Sequence, residues 1–274
     1  MVLLAAFAAC GFHEGTLARD DTLVPDDQFV PTWAMDPMSG KGVPTASQWS
    51  EMIQAKGLTM SPPDHLWLMQ EASGNLADAI GSAALVPSIS PRPTYANSVP
   101  GWSRIAVGTL DTQPNQGFGN ATVGSLDGTS HLLLLYVSLY ATPSMESSIC
   151  GIGNETDHRY VAVTAPPTIA FEGTGYAMSP TVGAMNPGTL AHPIVLAIDM
   201  SHSRYTVYSD LEKIAVAWRP PNSLGPLVTI GNAIIHGAPA RYLYGAMWSG
   251  TKAELSDAAV KSLLEALGWT VTGY

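Results

Sequence analysis

Leu66-Trp67-Leu68-Met69-Gln70-Glu71-Ala72-Ser73-Gly74-Asn75-Leu76-Ala77-Asp78-Ala79-Ile80-Gly81 is the stretch whose reading decides the fold. A short apolar run ends in Gln-Glu. A turn of small residues follows at Ser73-Gly74-Asn75, and a second short run closes on Asp78 and Gly81. Apolar runs of this length, punctuated by Gly and Asn, read as strand, turn and short strand.

The same signal continues outward along the chain. Candidate strands are Leu66–Glu71, Arg104–Leu110, His131–Tyr140, Arg159–Ala165, Thr168–Glu172, Pro193–Asp199, Arg204–Ser209, Lys213–Trp218, Leu227–Ile230 and Tyr242–Trp248. Asp127-Gly128, Pro166-Pro167, Gly173-Thr174-Gly175, Pro220-Pro221 and Gly231-Asn232 separate them as turns. Many short strands at this spacing predict a sandwich or jelly roll. Leu132–Val137 is apolar on both faces, so it is expected between a second sheet and covering elements. Arg204–Ser209 alternates, which predicts one wet face. Ile194–Asp199 and Arg204–Asp210 read as a hairpin across residues 200–203.

Two short helices are expected. Thr45 and Gln48 fit a capping box, Trp49, Met52 and Ile53 share a face, and Gly57 is a natural C-cap, giving a helix over residues 46–56. Near the other end Ser256 is the expected N-cap and Asp257 suits the positive end of the helix dipole. Leu255 and Val260 form a hydrophobic staple, Val260, Leu263, Leu264 and Leu267 one stripe, and Gly268 the stop.

These motifs resemble the laminin-G-like, concanavalin A-like lectin-glucanase jelly-roll family. There a Trp-containing strand leads into a "-G-N-x-x-D-x-x-G-" loop, which Gly74-Asn75, Asp78 and Gly81 match. An "-L-x-x-D-" strand turning into "-x-x-V-Y-x-D-" is matched by Leu196–Asp199 and Val207–Asp210, with Leu211 where the family has Gly. A closing "-L-S-D-x-x-V-" helix is matched by Leu255–Val260. The resemblance implies an all-β, antiparallel two-sheet jelly-roll sandwich. A short N-terminal and a short C-terminal helix complete it. The expected organisation is a signal and tether over residues 1–19, an arm over 20–64 and the jelly roll over 65–274.

Composition narrows the setting. Charged residues make up 12% of the chain, about half the usual fraction, so the surface is built largely from neutral polar residues. Net charge is −10 and the 12 Lys and Arg form no run, which excludes a nucleic-acid partner. No apolar stretch reaches the roughly 18–20 residues of a spanning helix. Phe7-Ala8-Ala9-Cys10 is similar to a bacterial lipobox, with Cys10 the expected lipidation site. It lacks a preceding Lys or Arg. The expected location is therefore extracytoplasmic, in a bacterial cell envelope or secreted, with membrane contact only through the lipid. Cys150 is read as a buried small hydrophobe.

Chemistry-bearing motifs are sparse. Glucanases of this fold use Glu-x-Asp-x-Glu at strand spacing. Glu155-Thr156-Asp157 comes nearest, lacks the second Glu, and follows Gly151–Asn154 in an expected turn. There is no Gly-x-Ser-x-Gly elbow, no His-Glu-x-x-His and no phosphate loop. Catalytic residues are thus expected to be none, and the chain is expected not to be an enzyme. No cofactor is expected. The resemblance allows a calcium ion at the sandwich rim through Asn120, Asp127 and Asp199. A sugar needs an aromatic platform for its apolar face, and Trp33, Trp102 and Tyr176 lie in Gly-, Pro- and Ser-rich context where they are expected to be exposed. The leading expectation is a non-catalytic adhesion module that binds carbohydrate or another surface polymer. The alternative is a structural decoration or assembly protein of a cell surface or virion. Oligomeric state is not legible.

Overall fold

The computed structural model describes residues 33, 35–88, 92–97, 99–108, 117–123, 130–144, 146–153, 158–163, 168–173, 182–184, 191–200, 204–210, 213–217, 227–231, 236–250 and 255–274. All of them belong to one compact unit, Thr32–Tyr274. The elements run in order α1 (Gln48–Lys56), β1 (His65–Trp67), β2 (Val86–Pro87), β3 (Thr94–Asn97), β4 (Ala106–Gly108), β5 (Phe118–Thr122), β6 (Ser130–Leu139), β7 (Ser147–Gly153) and β8 (His158–Val163). They continue through β9 (Thr168–Gly173), β10 (Val182–Ala184), β11 (His192–Asp199), β12 (Arg204–Tyr208), β13 (Lys213–Ala217), β14 (Leu227–Ile230), β15 (His236–Gly237), β16 (Ala240–Ser249) and α2 (Asp257–Ala266).

Two sheets form. The first has the order β13-β12-β11-β6-β16-β4-β3, with β1 also paired to β16. The second has the order β10-β9-β8-β7-β14-β5-β2, with β15 on β7. Every strand pairing is antiparallel except β15 with β7. The expected antiparallel sandwich with one short helix toward each end is the observed fold. The β11–β12 hairpin pairs Leu196 with Val207 and Asp199 with Arg204, in the register the sequence implied.

Two hydrophobic clusters show how the layers stack. One lies between the sheets, where Leu133, Leu135 and Val137 of β6 meet Ile149 and Ile152 of β7 and Val228 and Ile230 of β14. The other lies on the far face of the first sheet. There Leu132, Leu134 and Tyr136 of β6 pack with Trp49 and Met52 of α1 and with Val260, Leu263 and Leu264 of α2. Strand β6 is apolar on both faces because it is the middle of three layers, as its composition required. Each such aliphatic side chain contributes about 1.5–3 kcal/mol by leaving water.

Polar tethers fix the third layer. The Tyr136 hydroxyl donates to the Gly42 carbonyl at 2.7 Å and the Tyr244 hydroxyl to the Pro44 carbonyl at 2.6 Å. Trp248 Nε1–H donates to the Ser61 carbonyl at 2.7 Å, and Trp49 Nε1–H to the Tyr244 hydroxyl at 2.9 Å.

Three expectations need correction. The wet face of β12 is covered: Tyr205 and Val207 enter the inter-sheet core and Tyr208 enters the outer cluster. Alternation of Thr with aromatics reads as half-exposed, yet α2 lies over it, and the Tyr208 hydroxyl donates to Asp257 Oδ1 at 3.0 Å. Residues Gly151–Gly153 are not a turn but the end of β7, a strand buried along its whole length. Its Gly and Ser content hid it. Finally, α1 starts at Gln48 with Ser47 in the cap position. Half of the expected capping box is present all the same, because Gln48 Oε1 accepts from the Thr45 N–H at 3.0 Å. Gly57 (φ 62°) ends the helix in the left-handed conformation.

The deciding stretch folds around one carboxylate. Asp78 is nearly solvent-free and its Oδ1 accepts from the backbone N–H of Leu66 (3.0 Å), Ile80 (3.1 Å) and Gly81 (2.9 Å). Its Oδ2 accepts from the Ala83 N–H at 2.9 Å and lies 2.7 Å from His65 Nδ1. A Cβ on Gly81 would sit 2.6 Å from both Asp78 Oδ2 and His65 Nδ1. The Asp and Gly of the motif are therefore parts of one clip that ties the β1 strand to the following loop.

Candidate functional site

A cleft of about 200 Å³ opens where five segments converge. Its lining includes Lys41, Trp102, His192, Asp210, Trp269 and Thr270. Each segment is placed by the fold. His192 begins β11 and Asp210 follows the end of β12, so the hairpin brings them side by side. His192 Nδ1 lies 3.1 Å and 3.0 Å from the two Asp210 carboxylate oxygens. Trp269 follows the stop of α2 at Gly268 (φ 84°), where a Cβ would meet the Gly40 carbonyl oxygen at 2.6 Å.

Lys41 and Trp102 are positioned by a buried carboxylate behind the cleft. Asp36 is 2% exposed. Its Oδ1 accepts from the Met38 and Ser39 N–H groups, each at 3.0 Å, which closes the loop that carries Lys41. Its Oδ2 accepts from Ser103 through both the backbone N–H (3.2 Å) and the hydroxyl (2.8 Å), which fixes the residue next to Trp102. Burial alone raises the Asp36 carboxyl pKa, but the hydrogen bonds from Ser103, Ser39 and Met38 together hold it below its ordinary range. Asp36 is thus a charged tie between two walls of the cleft.

The Lys41 ammonium donates to the Gly268 carbonyl at 2.6 Å and lies 4.5 Å from the centre of the Trp269 ring. Burial lowers its pKa, and the charge of Asp210 opposes that shift. Trp102 and Trp269 each pack on Tyr136, with ring centres 5.8 Å and 5.2 Å apart. The buried indole N–H of Trp102 has no acceptor among the described residues. The cleft thus combines apolar walls with a cation and a His–Asp pair. It is smaller than the roughly 300–1,000 Å³ of a drug-sized site, which limits it to a single ring or small group. A larger cavity of about 310 Å³, between the end of α1 and the start of α2, is lined by Gly57, Leu58, Met60, Ser256, Ala259 and their neighbours, with no titratable or aromatic side chain.

The expected site residues fare unevenly. Trp33 and Trp102 were expected as exposed platforms and are 2% and 6% exposed. Both join the outer cluster, packed with Val43, Trp49, Met52 and Met60 on the far face of the first sheet. A ring so enclosed cannot offer its whole face to a sugar; Trp102 still borders the cleft. Tyr176, Asp127 and Cys10 lie outside the described residues. Asp199 ends β11 in the first sheet, while the Asn120 backbone lies in β5 of the second and its side chain lies outside what is described. Among the described residues no group of three His, Cys, Asp or Glu could hold a metal. Cys150 is buried, and burial pushes its thiol pKa up to about 12.

Lys41, His192, Asp210 and Trp269 were not selected from the sequence. Asp210 stands in the quoted "-V-Y-x-D-" motif and His192 at a strand start, so each carried a signal of position. No signal marked their convergence.

No family model matches the chain, and no curated protein matches it. Its fold is similar to that of a Trypanosoma rangeli sialidase solved with 2,3-difluorosialic acid as a covalent intermediate. That likeness has a TM-score of 0.58 and 12% identity, over 82% of this chain and 38% of the sialidase. A botulinum neurotoxin type C, described as interacting with two ganglioside molecules, is similar with a TM-score of 0.52 and 8% identity, over 75% of this chain and 51% of that one. The binding domain of botulinum neurotoxin DC, in complex with SialylT, gives a TM-score of 0.51 at 8% identity, over 76% and 52%. The chain therefore spans well under two thirds of the length of these proteins, and the likeness is one of fold.

The expectation that the chain is no enzyme is withdrawn on this finding. It rested on the missing carboxylate set of glucanases. The sialidase, similar to this chain over 38% of its own length, is a glycoside hydrolase, and sialidases use a tyrosine nucleophile, so the missing carboxylate set is no ground for that expectation.

Proposed function

We propose that the chain is a carbohydrate-recognition domain whose site is the cleft between Lys41, Trp102, His192, Asp210 and Trp269. The observation that carries this reading is the convergence of two indole edges with fixed polar groups in a space of about 200 Å³. A sugar ring has an apolar face and a rim of hydroxyls, so it needs just such a pairing of surfaces. Glycan-linked proteins among those of similar fold support the class of ligand.

The test is retention on a glycan array by the intact chain and by a Trp269→Leu variant. Trp269 lies past the end of α2, and leucine keeps an apolar group against Tyr136, so the variant should keep the fold. Retention should drop about tenfold, the value of a lost aromatic contact. Undiminished retention by a folded variant would refute the site. Time courses on the retained glycan also read whether it is cleaved.

An extracytoplasmic setting completes the proposal, with Cys10 as the lipid anchor. The Phe7–Cys10 segment and the low charged fraction support it. Replacing Cys10 by Ala should move the protein from the membrane fraction to the soluble one. Calcium at the rim through Asn120, Asp127 and Asp199 remains part of the proposal. A melting temperature raised by millimolar Ca²⁺ and reversed by chelation would support it, and one that does not move would remove it.

A further inference from the structure

We infer that the cleft selects a monosaccharide carrying a carboxylate, with Lys41 as the residue that reads the charge. This rests on the carbohydrate reading above and narrows it to a ligand class.

The charges in the cleft are unequally engaged. Asp210 directs both carboxylate oxygens to His192 Nδ1. Lys41 directs one of its three N–H groups to a neutral acceptor, the Gly268 carbonyl. Its remaining contacts are the face of Trp269 at 4.5 Å and the more distant attraction of Asp210. No ion pair of Lys41 exists among the described residues. The ammonium is also partly withdrawn from water, which weakens its charged form. An anionic group on the ligand would meet the two unspent N–H groups and offset that cost. Hydrogen bonds between an ammonium and a carboxylate are the stronger kind.

Position favours the same conclusion. Lys41 is held from two sides, by the Asp36 loop that carries it and by the Gly268 carbonyl it contacts. A charge fixed this way is pre-oriented, so little side-chain entropy is lost on binding.

The experiment uses the intact ¹⁵N-labelled chain, titrated with D-glucuronate and D-glucose, which differ only at C6. D-Galacturonate, D-galactose and N-acetylneuraminate complete the panel. The readout is the indole N–H signal of Trp102, assigned with Trp102→Phe. The acidic member of a pair should bind about tenfold tighter than the neutral one, as one charge-assisted hydrogen bond implies. Lys41→Met keeps an apolar stem over Trp269 and should abolish that preference. Lys41→Arg should retain it. Equal affinities in the wild-type chain, or a preference that survives Lys41→Met, would overturn the inference and leave the carbohydrate reading standing. No shift with any of the five sugars would overturn both. The wild-type comparison decides the matter even if a variant fails to fold.

Discussion

At the residue scale, Asp78 shows how a short motif becomes structure. Five donors converge on it, and four of them are the backbone N–H groups of Leu66, Ile80, Gly81 and Ala83. Burial raises its pKa, but the hydrogen bonds from His65, Leu66, Ala83 and Gly81 outweigh that and hold it below the ordinary carboxylate range. The folded state therefore binds the proton more weakly than the unfolded chain does. The stability this contributes is complete above the unfolded value of about 4 and is lost as pH falls through the lower folded value. Asp78→Ala strands several donors and should lower stability by about 2–4 kcal/mol, read by urea denaturation at pH 7. It should also flatten the acid limb of a pH–stability profile; an unchanged limb would mean that another carboxylate sets it. Asp78 and Gly81 are legible in the sequence because their spacing after Gly74-Asn75 matches a strand-loop motif. Asp36 is not, because its partner Ser103 is 67 positions away and no local spacing connects the two.

At the element scale, legibility followed residue type. Strands β6, β11, β12, β13, β14 and β16 were found within a residue or two because runs of Leu, Ile, Val and Tyr announce them. Strands β5 and β7 were missed. Phe118–Thr122 and Ser147–Gly153 carry Gly, Asn and Ser, which score as turn even when the backbone is paired on both sides. Helix α2 was read correctly down to its cap, where Ser256 Oγ accepts from the Ala259 N–H at 3.1 Å. Ser256→Ala should cost about 1 kcal/mol in thermal or urea unfolding. Gly268→Ala should cost more, because its φ of 84° and the Gly40 carbonyl oxygen at 2.6 Å both oppose a side chain. It should also weaken sugar binding, since Lys41 and Trp269 flank that contact.

At the scale of the whole molecule, residues 35–64, the described part of the segment read from sequence as an arm, pack as a structural layer. Trp49 is fully buried, meets Trp248 edge-on at 5.2 Å and donates to Tyr244. Trp49→Ala should cost about 3–5 kcal/mol and produce no separate early transition, because α1 shares one core with β6, β16 and α2. A biphasic melt would show instead that the layer unfolds by itself. The layer also explains why the aromatic platforms expected at Trp33 and Trp102 are enclosed. A sequence shows that a loop aromatic exists, but not that residues 200 positions away will cover it.

Lys41 and Gly268 touch across 227 positions of chain. The cleft is thus closed by a seam between two distant stretches, in the manner of a clasp. Most strands precede that clasp in the chain, so during synthesis the proposed binding surface is completed only when α2 and Trp269 have left the ribosome. Sugar binding would then report that the whole domain has been assembled, and a chain stopped before residue 268 should be blind to every ligand.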